Sequence, residues 1–438
     1  MPRHSEIFAS LLASVLIFSI CSPNVFALSE GKEGKEGKES KDSKEYKESA
    51  QDQYVVMLSL DGFRHDYLAK YDAPNLAKVA ATGVTSRGLI PGFPTSTFPN
   101  HYSIVTGLYP GNHGLIGNSF YDRQRAQKYT MKNSNAVTDG SWYGGLPLWQ
   151  AIQQAGMPTA SFFWVGSEAD IQGAYPTFYE RYSGRVPNSQ RVAKTLEWLR
   201  LPQAQRPRFL TLYFSTVDSA GHNHGPDSKQ VRNAIKAVDK QVGVLLEGLA
   251  QLDLPVNLFI TSDHGMSSVA PEKVVYLDDH IDLQQWRGKS KLVPGGALAY
   301  FYSPDESLVV RTYEKLRSVV NVKAFKAPEF PDAFHFSPSD PRTPDLVLVA
   351  ESNGYIGLRR AKDKGRVVKG AHGYMAKNNV DMQGVLMATG PSLKSGLVLP
   401  AVENVHIYPL IMHILDAPIT TQIDGKLAAL SSALKSAE

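Results

Sequence analysis

Three acidic residues of this chain share one local setting, each following a run of β-branched and apolar residues. Asp61 follows Val55-Val56-Met57-Leu58-Ser59-Leu60, Asp218 comes shortly after Leu210-Thr211-Leu212-Tyr213-Phe214, and Asp263 follows Leu258-Phe259-Ile260-Thr261-Ser262. Such runs read as buried strands. If the strands lie parallel in one sheet, all three carboxylates arrive at one edge. Imidazoles accompany them: His222 stands four residues beyond Asp218, and His264 follows Asp263 directly. An Asp-Gly pair such as Asp61-Gly62 is by itself only a turn. Several acids gathered at strand ends are different, because burying even one unpaired carboxylate costs several kcal/mol. A bound cation resolves that conflict. His372, in Gly370-Ala371-His372-Gly373-Tyr374, is a further nitrogen donor presented by a glycine-flanked turn. Mixed oxygen and nitrogen donors favour zinc over calcium or magnesium, with iron and manganese still compatible.

A hydroxyl cluster lies in Phe93-Pro94-Thr95-Ser96-Thr97-Phe98-Pro99-Asn100-His101, where two prolines restrain the backbone on either side. The apolar stretch Tyr102 to Thr106 then reads as the start of a helix. Free N–H groups at a helix N-terminus attract anions. A threonine there can equally serve only as a cap.

The elements that must position these residues follow from hydrophobic periodicity. Tyr54 to Leu60, Phe209 to Phe214, Asn257 to Thr261 and Gly384 to Ala388 read as strands. Asn75 to Ala81, Leu146 to Ala155, Gln190 to Leu199 and Lys229 to Leu249 read as helices between them. The alternation predicts an α/β fold around a mostly parallel central sheet, whose ligands sit beyond the carboxyl ends of the strands. From 271 to 369 the pattern changes to strand-like Ala297 to Tyr302 and Asp345 to Ala350, with one helix over Glu306 to Val319. We read that segment as a small α+β insertion within a catalytic domain spanning 53–438.

The chain begins with Arg3 and His4, an apolar run from Ile7 to Ile20, and Val25-Phe26-Ala27. This is the pattern of an export signal over 1–27, and the run is shorter than a membrane-spanning helix needs, so no span is expected in the mature form. Residues 28–52 repeat Gly-Lys-Glu and continue in Lys, Glu and Ser, a composition that favours a solvated tether. Cys21 is the only cysteine, which rules out a disulfide framework. Export without disulfides fits a bacterial periplasm, or release into the medium, better than a stapled secreted domain. The 46 Lys and Arg against 42 Asp and Glu give a net charge of +4 over 438 residues, too weak to imply a stable nucleic-acid partner.

Asp61-Gly62-Phe63-Arg64, the run Phe93 through Asn118, Phe163-Trp164-Val165-Gly166-Ser167, Asp218-Ser219-Ala220-Gly221-His222, Ser262-Asp263-His264-Gly265-Met266 and His372-Gly373-Tyr374 together resemble the nucleotide pyrophosphatase/phosphodiesterase family of the alkaline phosphatase superfamily. The matching blocks occur in family order from about Tyr54 to Glu403-Asn404-Val405-His406. The resemblance implies an alkaline-phosphatase-like fold and two Zn²⁺ per chain. Asp218, His222 and His372 would hold the first ion; Asp61, Asp263 and His264 would hold the second, with the Thr97 oxygen. Asn118 would donate to a phosphoryl oxygen, helped by the backbone N–H of Phe98. Phe98 and Tyr182 would stack on a planar leaving group, with Tyr213 and Met131 lining the same pocket. Ser96 and Ser119 stand where many relatives carry lysine, which argues against tight binding of a polyphosphate tail.

The implied function is hydrolysis of phosphodiester or pyrophosphate bonds in small nucleotide-like substrates, releasing a nucleoside 5′-monophosphate through a phosphothreonine at Thr97. Zinc lowers the pKa of a bound water to about 7, and the same effect would activate a threonine hydroxyl without a histidine base. The competing reading within the family is a choline-type phosphodiester or lysophospholipid hydrolase. A sulfatase would need a cysteine or serine converted to formylglycine, and the one cysteine lies in the export signal. A catalytically dead binding protein is disfavoured because the expected ligands and nucleophile are all present.

Overall fold

Strands apolar on both faces belong in a sheet covered on both sides, and the acid-bearing runs occupy that position. The structure, a computed structural model, describes residues 53–286, 288, 290–359 and 368–436. The expected export signal and charged tether lie outside the described residues. The main sheet has eight strands: β1 (Tyr54–Leu60), β2 (Val84–Ser86), β3 (Thr159–Phe162), β4 (Phe178–Glu180), β5 (Phe209–Phe214), β6 (Val256–Thr261), β7 (Leu386–Thr389) and β8 (Leu397–Leu399). Their spatial order is β8-β2-β7-β6-β1-β5-β3-β4. β1 lies between β5 and β6 and runs parallel to both, with Leu60 opposite Phe214 and Ser59 opposite Thr261. The carboxyl ends that precede Asp61, Asp218 and Asp263 therefore coincide. β7 runs antiparallel to both its neighbours, so the sheet is mostly, not wholly, parallel.

Helices α1 (Pro74–Thr82), α2 (Thr97–Thr106), α3 (Leu148–Gln154), α4 (Asn188–Leu199), α5 (Thr216–His224), α6 (Lys229–Ala250) and α7 (Ile407–Ile414) accompany the sheet. Alternate residues of β1 point to opposite faces. Val55 and Met57 join a core that includes residues of α2, α3 and α7, whereas Val56, Leu58 and Leu60 join one that includes residues of α1, α4 and α6. Both faces of the central strand are thus covered by helices.

Several boundaries differ from the sequence reading, including the helix expected to reach Val319, which ends at Leu316, and three of the differences have clear local reasons. The helix expected to start at Tyr102 starts at Thr97, because Ser96 takes the extended N-cap conformation and Pro99, within the first turn, needs no N–H partner. The helix expected from Leu146 starts at Leu148, with Pro147 extended as its N-cap. The strand expected from Gly384 starts at Leu386, because Gly384 exchanges both backbone hydrogen bonds with Leu89 outside the main sheet.

Within 271–369 a separate four-stranded antiparallel sheet forms from Lys291–Pro294, Leu298–Tyr302, Leu346–Ala350 and Val322–Lys326, with a helix over Glu306–Leu316. Its connections grip the hydroxyl-bearing loop. Phe334 stacks on Phe93 with ring centroids 3.8 Å apart, and His335 stacks on Tyr109 at 3.7 Å. The Tyr300 hydroxyl donates to the carbonyl of Ile116 at 2.5 Å.

The turn after β1 joins fold to site. Gly62 has φ +67°, and a Cβ there would lie 2.9 Å from the Cα and Cβ of Asp218. Gly62→Ala is expected to lower stability by about 1–3 kcal/mol through backbone strain and this clash. Urea unfolding checks it, and a change below about 0.5 kcal/mol, ordinary for a surface position, would contradict the packing of Gly62 against Asp218.

Candidate active site

The sheet edge collects the three acids. Asp61 follows β1, Asp263 follows β6, and Asp218 lies in the first turn of α5, which follows β5. The backbone N–H of Asp218 donates to the carbonyl of Asp61 at 3.0 Å, and that of Gly62 donates to Asp263 Oδ1 at 3.3 Å. The helical spacing of Asp218 and His222 puts His222 Nε2 3.4 Å from Asp218 Oδ1. Two groups result, Asp218 with His222 and His372, and Asp61 with Asp263 and His264, each with its candidate ligand atoms within 4.8 Å of one another.

All three imidazoles are oriented alike. Nδ1 lies 2.9 Å from the Gly370 carbonyl in His222, 2.8 Å from that of Gly265 in His264, and 3.0 Å from that of Thr95 in His372. A carbonyl can only accept, so Nδ1 donates in each ring, which leaves Nε2 to face the cluster and to offer a lone pair to a cation. Nε2 of His372 then faces Nε2 of His222 at 3.0 Å, and Nε2 of His264 faces Asp263 Oδ2 at 3.0 Å. Asp61 Oδ1, Asp218 Oδ1 and Asp263 Oδ2 are buried without a hydrogen-bond partner. Lone pairs turned towards lone pairs in a buried place are what a cation would relieve. Backbone anchoring of the far ring nitrogen is the usual arrangement around metal-ligating histidines. The residues therefore fit two cations, and the Asp/His donor set fits zinc.

The electrostatics carry the same strain. Burial, reinforced by Asp263 and Asp218, pushes the Asp61 carboxyl well above its ordinary pKa, and burial also raises Asp218. Burial would raise Asp263 too, but His264 and His101 outweigh it and hold that carboxylate well below the usual range. Burial disfavours a charged His264, yet Asp263 raises it. Burial, with His264 and His222 nearby, pushes His372 well below its ordinary value.

Thr97 is the first residue of α2, and its Oγ1 lies 3.2 Å from His264 Nε2. The hydroxyl thus meets the second group at the positive end of a helix. The N–H of Phe98 donates to Asn118 Oδ1 at 2.8 Å. The sequence reading had that N–H helping Asn118 bind a substrate oxygen; here it is taken by the Asn118 amide, which it orients with Nδ2 as the donor end. Met131 sits beside Asn118, its N–H bonded to the Asn118 carbonyl at 2.9 Å, and is 41% exposed. Tyr182 is 51% exposed and stands 6.1 Å from the Tyr213 ring, while Phe98 packs edge-on against Tyr129. Among the described residues no ring contact joins Phe98 to Tyr182.

Tyr213 is only partly buried, and its hydroxyl donates to Asp61 Oδ2 at 2.5 Å and so steadies an acid of the cluster. His101, absent from the sequence reading of the site, is fully buried. Its Nδ1 lies 3.0 Å from the Thr97 carbonyl and 3.2 Å from Asp263 Oδ2, and its Nε2 lies 2.8 Å from Ser59 Oγ. Its spacing of four from Thr97 on one helix was the available clue. Ser59 gave none, being one small residue in a buried strand. Cavities of 650 and 260 Å³ elsewhere contain none of the clustered acids or histidines, so chemistry and not cavity size marks this site.

Known proteins resemble the chain over most of its length. The family model described as type I phosphodiesterase / nucleotide pyrophosphatase matches residues 55–375. A venom phosphodiesterase of Naja atra is 34% identical over 373 residues, covering 82% of this chain and 44% of that protein. Ectonucleotide pyrophosphatase/phosphodiesterase family member 1 of Homo sapiens is 34% identical over 372 residues, covering 82% of this chain and 40% of that one. The chain thus spans less than half the length of these curated relatives. Among solved structures, murine ectonucleotide pyrophosphatase/phosphodiesterase 5, in an inactive form in complex with AMP, superposes with a TM-score of 0.81 at 29% identity, covering 87% of this chain and 100% of that one.

The pKa shifts set a pH dependence. Asp61 and Asp218 have folded pKa values raised above the unfolded value of about 3.9. Their contribution to the stability of metal-free protein is therefore present at low pH and lost as pH rises through the folded values. A cation reverses this by favouring the ionised forms. The gap in Tm between zinc-loaded and chelator-stripped protein is expected to widen from about pH 4 towards pH 8. Thermal unfolding over a pH series checks it, and a gap that narrows with pH would contradict cation binding at the cluster.

Proposed function

Because the chain belongs to the type I phosphodiesterase / nucleotide pyrophosphatase family, we propose that it hydrolyses phosphodiester or pyrophosphate bonds in nucleotides and nucleotide-like diesters, releasing a nucleoside 5′-monophosphate. The observation that carries the reading is the Thr97 hydroxyl at the start of α2, 3.2 Å from His264 Nε2 and beside three carboxylates that each keep one buried oxygen without a hydrogen bond. AMP bound to the murine relative supports a nucleotide substrate.

In the proposed reaction the Thr97 oxygen attacks phosphorus in line with the departing group. Thr97 gives up its hydroxyl proton, the Oγ–P bond forms as the leaving-group P–O bond breaks, and the departing oxygen takes up a proton, giving a phosphorylated threonine. Water then attacks the same phosphorus, releases the monophosphate and returns the hydroxyl to Thr97. Two zinc ions, one with Asp218, His222 and His372 and one with Asp61, Asp263 and His264, would supply the Lewis acidity that favours the Thr97 oxyanion and offsets charge on the phosphoryl oxygens. The N-terminus of α2 favours negative charge at Thr97. Asn118 Nδ2 donates to a non-bridging oxygen, its orientation set by the Phe98 N–H. A neutral donor suits a diester, whose transition state carries less charge than that of a monoester. Phe98 and Tyr182 offer aromatic faces to the planar group of the substrate.

Export is part of the proposal. The apolar start of the sequence supports it, as does the venom origin in the name of one relative. Among the described residues no helix is long and apolar enough to cross a membrane.

Thr97→Ala is expected to abolish turnover while zinc stays near two per chain by elemental analysis; retained turnover would remove the nucleophile. Asn118→Ala is expected to lower kcat about 100-fold or more, as for loss of one oxyanion donor. p-Nitrophenyl esters of thymidine monophosphate and of phosphorylcholine, assayed side by side, separate the substrate classes. Preference for the choline ester would overturn the nucleotide assignment.

A further inference from the structure

Arg64 closes the Asp61-Gly62-Phe63-Arg64 block, and nothing in the proposed chemistry uses it. Its side chain is only 5% exposed, yet four backbone segments converge on it. Nε and Nη2 grip Asp66 through both carboxylate oxygens, at 2.6 and 3.0 Å, within the loop that begins at Asp61. Nη2 also donates to Asp227 Oδ1 at 3.2 Å, just beyond the end of α5, the helix that carries Asp218 and His222. Nη1 donates to the carbonyl of Met266 at 3.2 Å, in the segment that begins Asp263-His264. The same Nη1 lies 3.7 Å from Asp381 Oδ1. Asp381 Oδ2 accepts from Ser267 Oγ at 3.2 Å, and Ser267 pairs with Ala371, the residue before His372.

Backbone bonds close the same knot. The N–H of His65 donates to the Gln383 carbonyl at 3.0 Å, and that of Gly265 donates to the Met382 carbonyl at 2.9 Å. Each segment that brings an acid or histidine to the cluster is therefore fastened, directly or through one neighbour, to a single planar cation.

We propose that Arg64 is a positioning residue whose guanidinium sets the mutual placement of the loops carrying Asp61, Asp218, His222, Asp263, His264 and His372, and so tunes their affinity for zinc. This rests on the reading of those residues as zinc ligands. Zinc bonds tolerate only about 0.2 Å of deviation, so loops that drift by half an ångström lose affinity without unfolding. The five donors of arginine, in one rigid plane, serve several acceptors in different directions at once. A lysine keeps the charge but offers three donors from one point.

The test is Arg64→Lys in the full chain, stripped of metal and titrated with zinc against a chromophoric chelator well below the Tm. Zinc affinity is expected to fall about tenfold or more, in the range found when residues supporting metal ligands are replaced, while the Tm of the metal-free protein falls by only a few degrees. A purely structural role would lower that Tm and leave the zinc dissociation constants unchanged, which would overturn the inference. If Arg64→Lys does not fold, Asp381→Asn removes the contact on the His372 side and is expected to weaken zinc binding several-fold; unchanged affinity there overturns the inference equally. Failure of the unmodified chain to bind zinc would sink the metal reading and this inference with it, whereas two tight zincs in both proteins would sink the inference alone.

Discussion

The structure is organised around a place where like meets like. One carboxylate oxygen each of Asp61, Asp218 and Asp263 is buried without a hydrogen bond, and the Nε2 atoms of His222 and His372 face each other at 3.0 Å. In a low-dielectric interior such a gathering repels itself unless positive charge is placed within it. The fold can hold the arrangement because everything around it is rigid. Three strands end in register, three imidazoles are pinned by their far nitrogens to backbone carbonyls, and the turn at Gly62 admits no side chain against Asp218.

The nucleophile candidate depends on a second brace. Thr97 opens α2 at the edge of the main sheet, but the loop before it is held from the other side by the connections of the small antiparallel sheet, through Phe334 on Phe93. His101, one turn along α2, reaches back to the Thr97 carbonyl and to Asp263. The hydroxyl and the acid that would share its cation are thus held by one imidazole. Tyr213 does the equivalent for Asp61.

Much of this was legible in the sequence because strand ends and helix spacings are local properties. The runs before Asp61 and Asp263 read as strands of the observed length to within a residue, and the interval of four between Asp218 and His222 is the one that α5 uses. Other features were not legible because they depend on neighbours distant in the chain. Nothing local in the sequence places the Tyr213 hydroxyl on Asp61, 152 positions away. The helix at Thr97 reads as starting later because the two prolines obscure its first turn. Ser59 and Arg64 acquire meaning only from His101, Asp227, Met266 and Asp381, which lie between 42 and 317 positions away.

By itself the sequence determined the chemistry available: which side chains can hold a cation, where hydroxyls cluster, and that apolar runs would end beside the acids, since residue type and periodicity are written residue by residue. Only the tertiary structure decided which oxygens face one another unpaired, which ring nitrogens point inward, and which polar groups brace others. Those outcomes depend on strand register and loop closure, where a shift of one residue or half an ångström changes every partner.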